Sequence, residues 1–318
     1  MTLAIELATW DNPIFKSYVY WTGILCLKML AMSALTGLTR FARMTFANPE
    51  DAIFSKSKVK YDDQRIERCR RAHLNDMENI LVFIPIGFLY VLINPSAFLA
   101  INLFRLVGIG RIIHTIVYAV FVTPQPSRLL AWIFPYLATG FMALEVILKA
   151  AFTLPIRIYL FVAKLKKNTM SADELISFEN PVFKTFAFWG GALALKMLAM
   201  SILTAIQRMK TKTFPNPEDA VLSKVKVKFD DPDVERVRRA HRNDMENIFV
   251  FFLVGLLYVL TDPSAFLANN LFRAVGIGRI VHTVVYVKAV PQPARALAWG
   301  IPYVATGYMA LQVMIGAF

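Results

Sequence analysis

The sequence predicts an all-α membrane protein built as two tandem four-helix transmembrane bundles, about eight transmembrane helices in all. Three observations lead there. Apolar residues fill 57% of the 318 positions and charged residues only 18%, below the roughly 25% of a soluble domain. Long apolar runs recur along the chain and lift the mean hydropathy to +0.50. The second half of the sequence repeats the first.

The runs cover 14–39, 79–93, 97–122 and 128–150, then 182–207, 247–261, 265–289 and 296–317. A helix needs about 20 apolar residues to cross the hydrocarbon. The second run of each set reaches that length only if the polar stretch before it, around Arg71 to Glu78, continues the same helix. A soluble fold would have to hide more apolar surface than one core of this size can hold. The opening residues MTLAIELATW carry no positive n-region, so the first span is expected to act as the targeting signal and to stay in place.

Asn12–Ile80 aligns without gaps on Asn180–Ile248, with 43 of 69 positions identical. NPEDA recurs at 48–52 and 216–220, and RRAHxNDMENI at 70–80 and 238–248. LFRxVGIGRIxHT recurs at 103–115 and 271–283; one residue is then dropped, and PQPxR recurs at 124–128 and 291–295. Such self-similarity marks one structural unit used twice. The units are residues 1–150 and 179–318. Residues 151–178 link them, and the short apolar piece 154–163 reads as an interfacial segment or an extension of the fourth helix.

Four spans per unit return the chain to the side it left, so both units enter the membrane in the same orientation, as a parallel repeat. Arg40–Arg71 and Arg208–Arg239 each carry nine Lys and Arg, whereas the loops INPSAF and TDPSAF carry none. The basic loops are therefore expected in the cytosol and the N-terminus in the lumen. The basic residues Arg157, Lys164, Lys166 and Lys167 of the linker run against this assignment. The same reading accounts for the net charge of +13 without nucleic acid. Cys26 and Cys69 have no counterparts in the second unit, which argues against a disulfide framework and against a metal site.

Ionisable residues inside spans are costly and mark functional sites. Arg71, Asn75 and Glu78 share one face of the second helix, and Arg111, His114 and Tyr118 one face of the third. Arg128 opens the fourth span and Arg40 closes the first, all toward the cytosolic end. The second unit repeats the set with Arg208, Arg239, Asn243, Glu246, Arg279, His282, Tyr286 and Arg295. Arginines snorkelling to headgroups would not need a His and a Tyr one turn apart; an inward-facing structural network is the other bland reading. His73 and His241 neighbour the polar face without lying clearly on it. Lys28 and Lys196, deep in the first spans, each need a partner, as an interhelical ion pair or a carbonyl contact.

A cluster rich in arginine at the membrane–cytosol boundary suits an anionic, water-soluble ligand meeting an apolar one dissolved in lipid. Arginine grips carboxylates bidentately, and Glu78 offers a place for an ammonium group. No nucleophile is repeated in the set. The GxGR at 108–111 lacks the spacing of a phosphate loop. The nucleophile is therefore expected to arrive with the substrate.

The motifs NPEDA, DDxxxER, RRAHxNDMEN, GRIxHTxxY and PQPxR, twice in the same order, resemble those of the MAPEG family. Within it they are closest to the microsomal glutathione transferases and next to the microsomal prostaglandin E synthases. The resemblance covers nearly all of both units. It implies four-helix protomers assembled as a homotrimer, with glutathione as co-substrate bound between neighbours on the cytosolic side. It also implies an endoplasmic reticulum address, with the outer mitochondrial membrane as a second. Arg40, Arg71, Asn75, Glu78, His114 and Tyr118 match glutathione-contacting positions of the family, as do Arg208, Arg239, Asn243, Glu246, His282 and Tyr286. Arg128 and Arg295 match the arginine that stabilises the thiolate. A free thiol of pKa near 8.5 is only about a few per cent ionised at pH 7, and a fixed guanidinium in a water-poor site favours the anion. The thiolate would attack a lipophilic electrophile or reduce a lipid hydroperoxide.

Three positions depart from the family. Leu129 and Ala296 stand where the prostaglandin synthases have serine, which argues against that isomerisation. Ala52 and Ala220 replace a stress-sensing cysteine. Leu74 faces Arg242 across the repeat, so the two sites need not bind alike. A glutathione-dependent isomerase and a non-catalytic binding or scaffold protein remain the alternatives. Two modules per chain also sit awkwardly with assembly in threes.

Overall fold

A computed structural model describes residues 7–46, 57–60, 63–152, 172–214, 226–228, 231–291 and 293–316. The NPEDA motifs, Ala52, Ala220 and the linker piece 154–163 lie outside them. The first module consists of α1 (Pro13–Ala42), α2 (Gln64–Leu92), α3 (Ala97–Thr115) and α4 (Ser127–Phe152). A four-residue helix α5 (Ala172–Leu175) precedes the second module, α6 (Pro181–Thr211), α7 (Pro232–Val259), α8 (Ala265–Val287) and α9 (Ala294–Gly316). In each module a two-residue parallel pairing pins the loop after the first helix: β1 (Thr45–Phe46) with β2 (Lys58–Val59), and β3 (Thr213–Phe214) with β4 (Lys226–Val227).

The helix starts are written in the sequence. Asn12 and Asn180 accept from the N–H groups of Ile14 and Val182 at 2.9 Å, each followed by a proline at the first helical position, which needs no N–H there. Asp63 caps α2 through the N–H groups of Arg65 and Ile66, and Asp231 caps α7 through those of Asp233 and Val234. As the run lengths require, the polar stretch Arg71–Glu78 and the apolar run after it form one helix of 29 residues.

Five of the long helices, α1 to α4 and α6, are long and apolar enough to cross a membrane by length and composition. The other three are the sequence counterparts of α2, α3 and α4. The shorter two have 23 residues and rise about 34 Å, against roughly 30 Å of hydrocarbon. The third helices differ. The first module has one residue more after this helix, and α3 runs into a π-helical turn, Ile116–Val120, whereas α8 stays α-helical to Val287. A π turn takes up an extra residue without breaking the helix.

Within each module the first helix packs on the second and third, and the fourth on the third and second. The GxG pairs of α3 and α8 serve this packing. A Cβ added to Gly108 would lie 1.9 Å from Trp21 Cε3, and one on Gly110 2.3 Å from Pro135 Cγ; Gly276 and Gly278 meet Trp189 and Pro302 in the same way. Aromatic rings fill the centre of each bundle. Phe83–Phe104 and Phe251–Phe272 both sit edge to face at 6.0 Å, a geometry worth about 1 kcal/mol beyond its area.

The modules meet where α6 lies against α4 and α2, and one apolar core runs through both. Gly191 makes the close approach possible: a Cβ there would fall 2.6 Å from Ile147 Cγ1 and 3.2 Å from the Ala143 carbonyl oxygen. Small residues at such crossings are the main device for packing helices in lipid. The arrangement is head to tail, because the first-helix face of one module covers the fourth-helix face of the other.

Candidate active site

A buried charge cluster underlies the site in each module. The Asp76 carboxylate receives Lys28 Nζ, Arg111 Nη2 at 2.5 Å and Thr115 Oγ1 at 3.4 Å. Asp244 receives Lys196, Arg279 at 2.5 Å and Thr283 at 3.5 Å. The lysines thus take the ion-pair option. Both aspartates are fully buried, where a carboxylate persists only with partners. Arg111 Nη2 also donates to Asn75 Oδ1 at 2.9 Å, and Arg279 to Asn243 likewise. The cluster therefore fixes the asparagine that faces the site above it.

A cleft of about 550 Å³ opens between the modules at the end where α2 and α4 begin and α6 finishes. The first module contributes Arg71, Asn75, Glu78, His114, Tyr118 and Arg128, with Gln125, Leu129 and Trp132. The second contributes Ser201, Thr204 and Arg208 from α6, Phe214 from β3, and Arg238 and His241 from α7. Four guanidinium groups face one carboxylate, so the cleft is built for an anion. The Arg128 guanidinium lies 4.8 Å from the Tyr118 ring centroid, and the His114 ring 5.4 Å from it. His114 is buried and its Nδ1 meets no hydrogen-bond partner among the described residues. Glu78 Oε1 lies 3.7 Å from His241 Nδ1 across the module boundary.

One of the first-module residues stands apart from the others. Arg40 does not join His114 and Arg128; its counterpart Arg208, from the second module, takes that place. Arg40 lies on α1 beside Ser33, Thr36 and Gly37, in a separate cleft that also touches Arg71 and Arg242. Arg239, Asn243, Glu246, His282, Tyr286 and Arg295 do come together, with Arg242, Ala296 and Trp299, but among the described residues no first-helix residue closes that cleft. Arg239 and Glu246 are exposed there, where Arg71 and Glu78 are half-buried. Arg295 still sits 5.5 Å from the Tyr286 ring, and His282 Nδ1 likewise has no partner among the described residues.

Sequence reasoning missed Asp76 and Asp244 as hubs, and Arg238 and His241 as contributors across the boundary. The i, i+3 spacing of Arg238 and His241 puts them on one face, but only the packing of the modules gives that face its role. Among the described residues no group of three or more His, Cys, Asp and Glu side chains is placed to hold a metal.

The sequence model of the MAPEG family matches residues 18–148 and again 186–315. Human microsomal glutathione S-transferase 1 is 44% identical over 138 residues, 42% of this chain and 88% of that protein. Its bovine counterpart is 46% identical over the same length and shares. Horse prostaglandin E synthase is 37% identical over 146 residues, 46% of this chain and 95% of its own length.

Proposed function

This chain belongs to the MAPEG family, and on that premise we propose that it is a membrane-bound glutathione transferase. The observation that carries the reading is the intermodule cleft, closed by Arg208 and floored by Asn75. Glutathione brings two carboxylates, one ammonium and a thiol. Arg71, Arg208 and Arg238 suit the carboxylates, Glu78 suits the ammonium, and Arg128 suits the thiolate. The relatives named microsomal glutathione S-transferase support the same ligand.

The chemistry follows from these placements. Arg128, buried against the Tyr118 ring, holds a guanidinium where water is scarce and so favours the ionised sulfur. Lowering a thiol pKa by about two units takes roughly 2.7 kcal/mol, within reach of one preorganised cation. The sulfur lone pair then bonds to an electrophilic carbon while a halide or other group leaves. Reduction of a lipid hydroperoxide by two glutathione thiols is the companion activity. Leu129, Trp132 and the lipid-facing rim offer the apolar partner its place. Arg295, His282 and Tyr286 form the equivalent set in the second module. The enzyme acts as a homo-oligomer in the endoplasmic reticulum membrane, its clefts facing the cytosol, with the outer mitochondrial membrane as a second address. Prostaglandin endoperoxide isomerisation is disfavoured by Leu129 and Ala296.

The test is conjugation of glutathione to an aryl halide by purified protein. Arg128→Ala with Arg295→Ala should abolish most turnover, and each single change should remove one module's share. Undiminished turnover in the double variant would refute the thiolate role, and a better rate on a prostaglandin endoperoxide would favour the isomerase.

A further inference from the structure

Resting on the glutathione reading above, we infer that Thr123 and Ser127 form a hydroxyl latch that positions Arg128, and that only the first module carries it. Arg128 is the second residue of α4, in the turn of a helix where backbone N–H groups lack partners and ends fray. Several contacts hold that turn here. Ser127 Oγ donates to the Pro124 carbonyl oxygen at 2.6 Å. With that proton committed, Thr123 Oγ1 is the donor in its 2.6 Å contact with Ser127 Oγ. The Leu129 N–H donates to Gln125 Oε1 at 3.0 Å. The Thr123 N–H donates to the Val117 carbonyl oxygen at 3.1 Å. Val117 precedes Tyr118 inside the π-helical turn, and Ser127 precedes Arg128. Hydrogen bonds therefore join the segment that carries Tyr118 to the one that carries Arg128, whose guanidinium lies 4.8 Å from the Tyr118 ring centroid.

The second module keeps the backbone part of this run and loses the hydroxyls. The Val290 N–H donates to the Val285 carbonyl oxygen at 2.9 Å, in the place of the Thr123–Val117 bond. Val290 stands for Thr123, however, and Ala294 for Ser127, so no hydroxyl pair can form. Arg295 lies farther from its ring, at 5.5 Å, and is half-buried where Arg128 is buried. The extra residue of the first module does not disturb the latch. The π turn absorbs it, closed by the Phe121 N–H on the Ile116 carbonyl oxygen at 2.7 Å, so Thr123 meets Val117 as Val290 meets Val285. A cation stabilises an anion best when it need not reorganise to do so. A latched Arg128 should therefore favour a bound thiolate more than an unlatched one. The α6 helix also lines the Arg128 cleft, so an exchange of hydroxyls within one site isolates the latch where a comparison of the two sites does not.

The test follows the ultraviolet absorbance of the glutathione thiolate against pH, in purified protein with one site active at a time. In a chain carrying Arg295→Ala, Thr123→Val with Ser127→Ala gives the first module the residues of the second. The thiolate titration should move alkaline by about one pH unit, the size of about one net hydrogen bond, with glutathione bound at saturation unchanged. In a chain carrying Arg128→Ala, Val290→Thr with Ala294→Ser should move the titration toward acid. The first exchange decides, and the second decides where the first variant does not fold. A titration that stays in place, or a loss of bound glutathione without a shift, overturns the positioning role. If conjugation persists in that case, the transferase reading stands. A chain carrying Arg295→Ala alone that forms no thiolate overturns that reading, and the latch with it.

Discussion

Asp76 holds two cations in a part of the bundle where water is scarce, and the balance of charge decides what its loss would do. Asp76→Asn leaves Lys28 and Arg111 without a counter-charge, which costs about 3–5 kcal/mol. Lys28→Met removes one cation and keeps the Asp76–Arg111 pair, so it should cost much less. Thermal unfolding in detergent reads the order; equal losses would refute the view of Asp76 as the hub. Arg128 makes a different prediction, because its proposed work is on a ligand. Without it the sulfur should titrate as a free thiol, near about 8.5. In a chain already carrying Arg295→Ala, Arg128→Ala should therefore lower turnover about 10²–10³-fold at pH 7 and shift the remaining rate toward alkaline pH. A parallel loss at every pH would contradict the assignment. Of the buried pair, only the lysine was legible in the sequence. Lys28 announced the need for a partner because a cation in a long apolar run cannot stand alone. Asp76 stayed hidden between Asn75 and Glu78, since the helix period alone does not say which of three neighbouring polar residues turns toward α1.

Single residues also decide whether helices begin and meet. Asn-Pro and Asp-Asp pairs stand ahead of the first and second helices of each module, and those helices start there. Asp63→Ala should lower stability by about 1 kcal/mol, seen as a drop in melting temperature. Burial alone would raise the Asp63 carboxyl, but the Ile66 and Arg65 N–H groups and the Arg43 guanidinium hold it below its ordinary 3.8. A depressed value means the ionised form stabilises the fold above that pH. The contribution then fades as pH falls through the lowered value, so wild type and variant should converge in acid. Convergence at alkaline pH instead would contradict this. The meeting of α6 with α4 was not legible, because a glycine within a long apolar run gives no sign of what will press on it. Gly191→Leu should force these helices apart, costing about 1–3 kcal/mol and weakening glutathione binding in the cleft they shape. Unchanged binding would mean that the cleft does not depend on this crossing.

Across the whole molecule, the repeat points to two modules, and an even number of spans in each predicts a parallel orientation. Residues on matching loops should therefore label alike. In sealed microsomes, cysteines placed at Ser57 and Lys228 should react with a membrane-impermeant maleimide, and those at Pro95 and Pro263 only after permeabilisation. Opposite labelling of the two modules would rule out a parallel repeat. What the sequence could not convey was that the pairing is head to tail, since each residue's repeat partner looks the same whether it is covered or open. That tethered pairing changes how the protein can vary. In an assembly of identical single modules, every mutation strikes all binding sites at once. Here the residues around Arg128 and those around Arg295 are separately encoded, as Leu74 and Arg242 already illustrate. One gene thus carries two separately mutable pockets, and a change that alters the lining of one can spread while the other keeps its own.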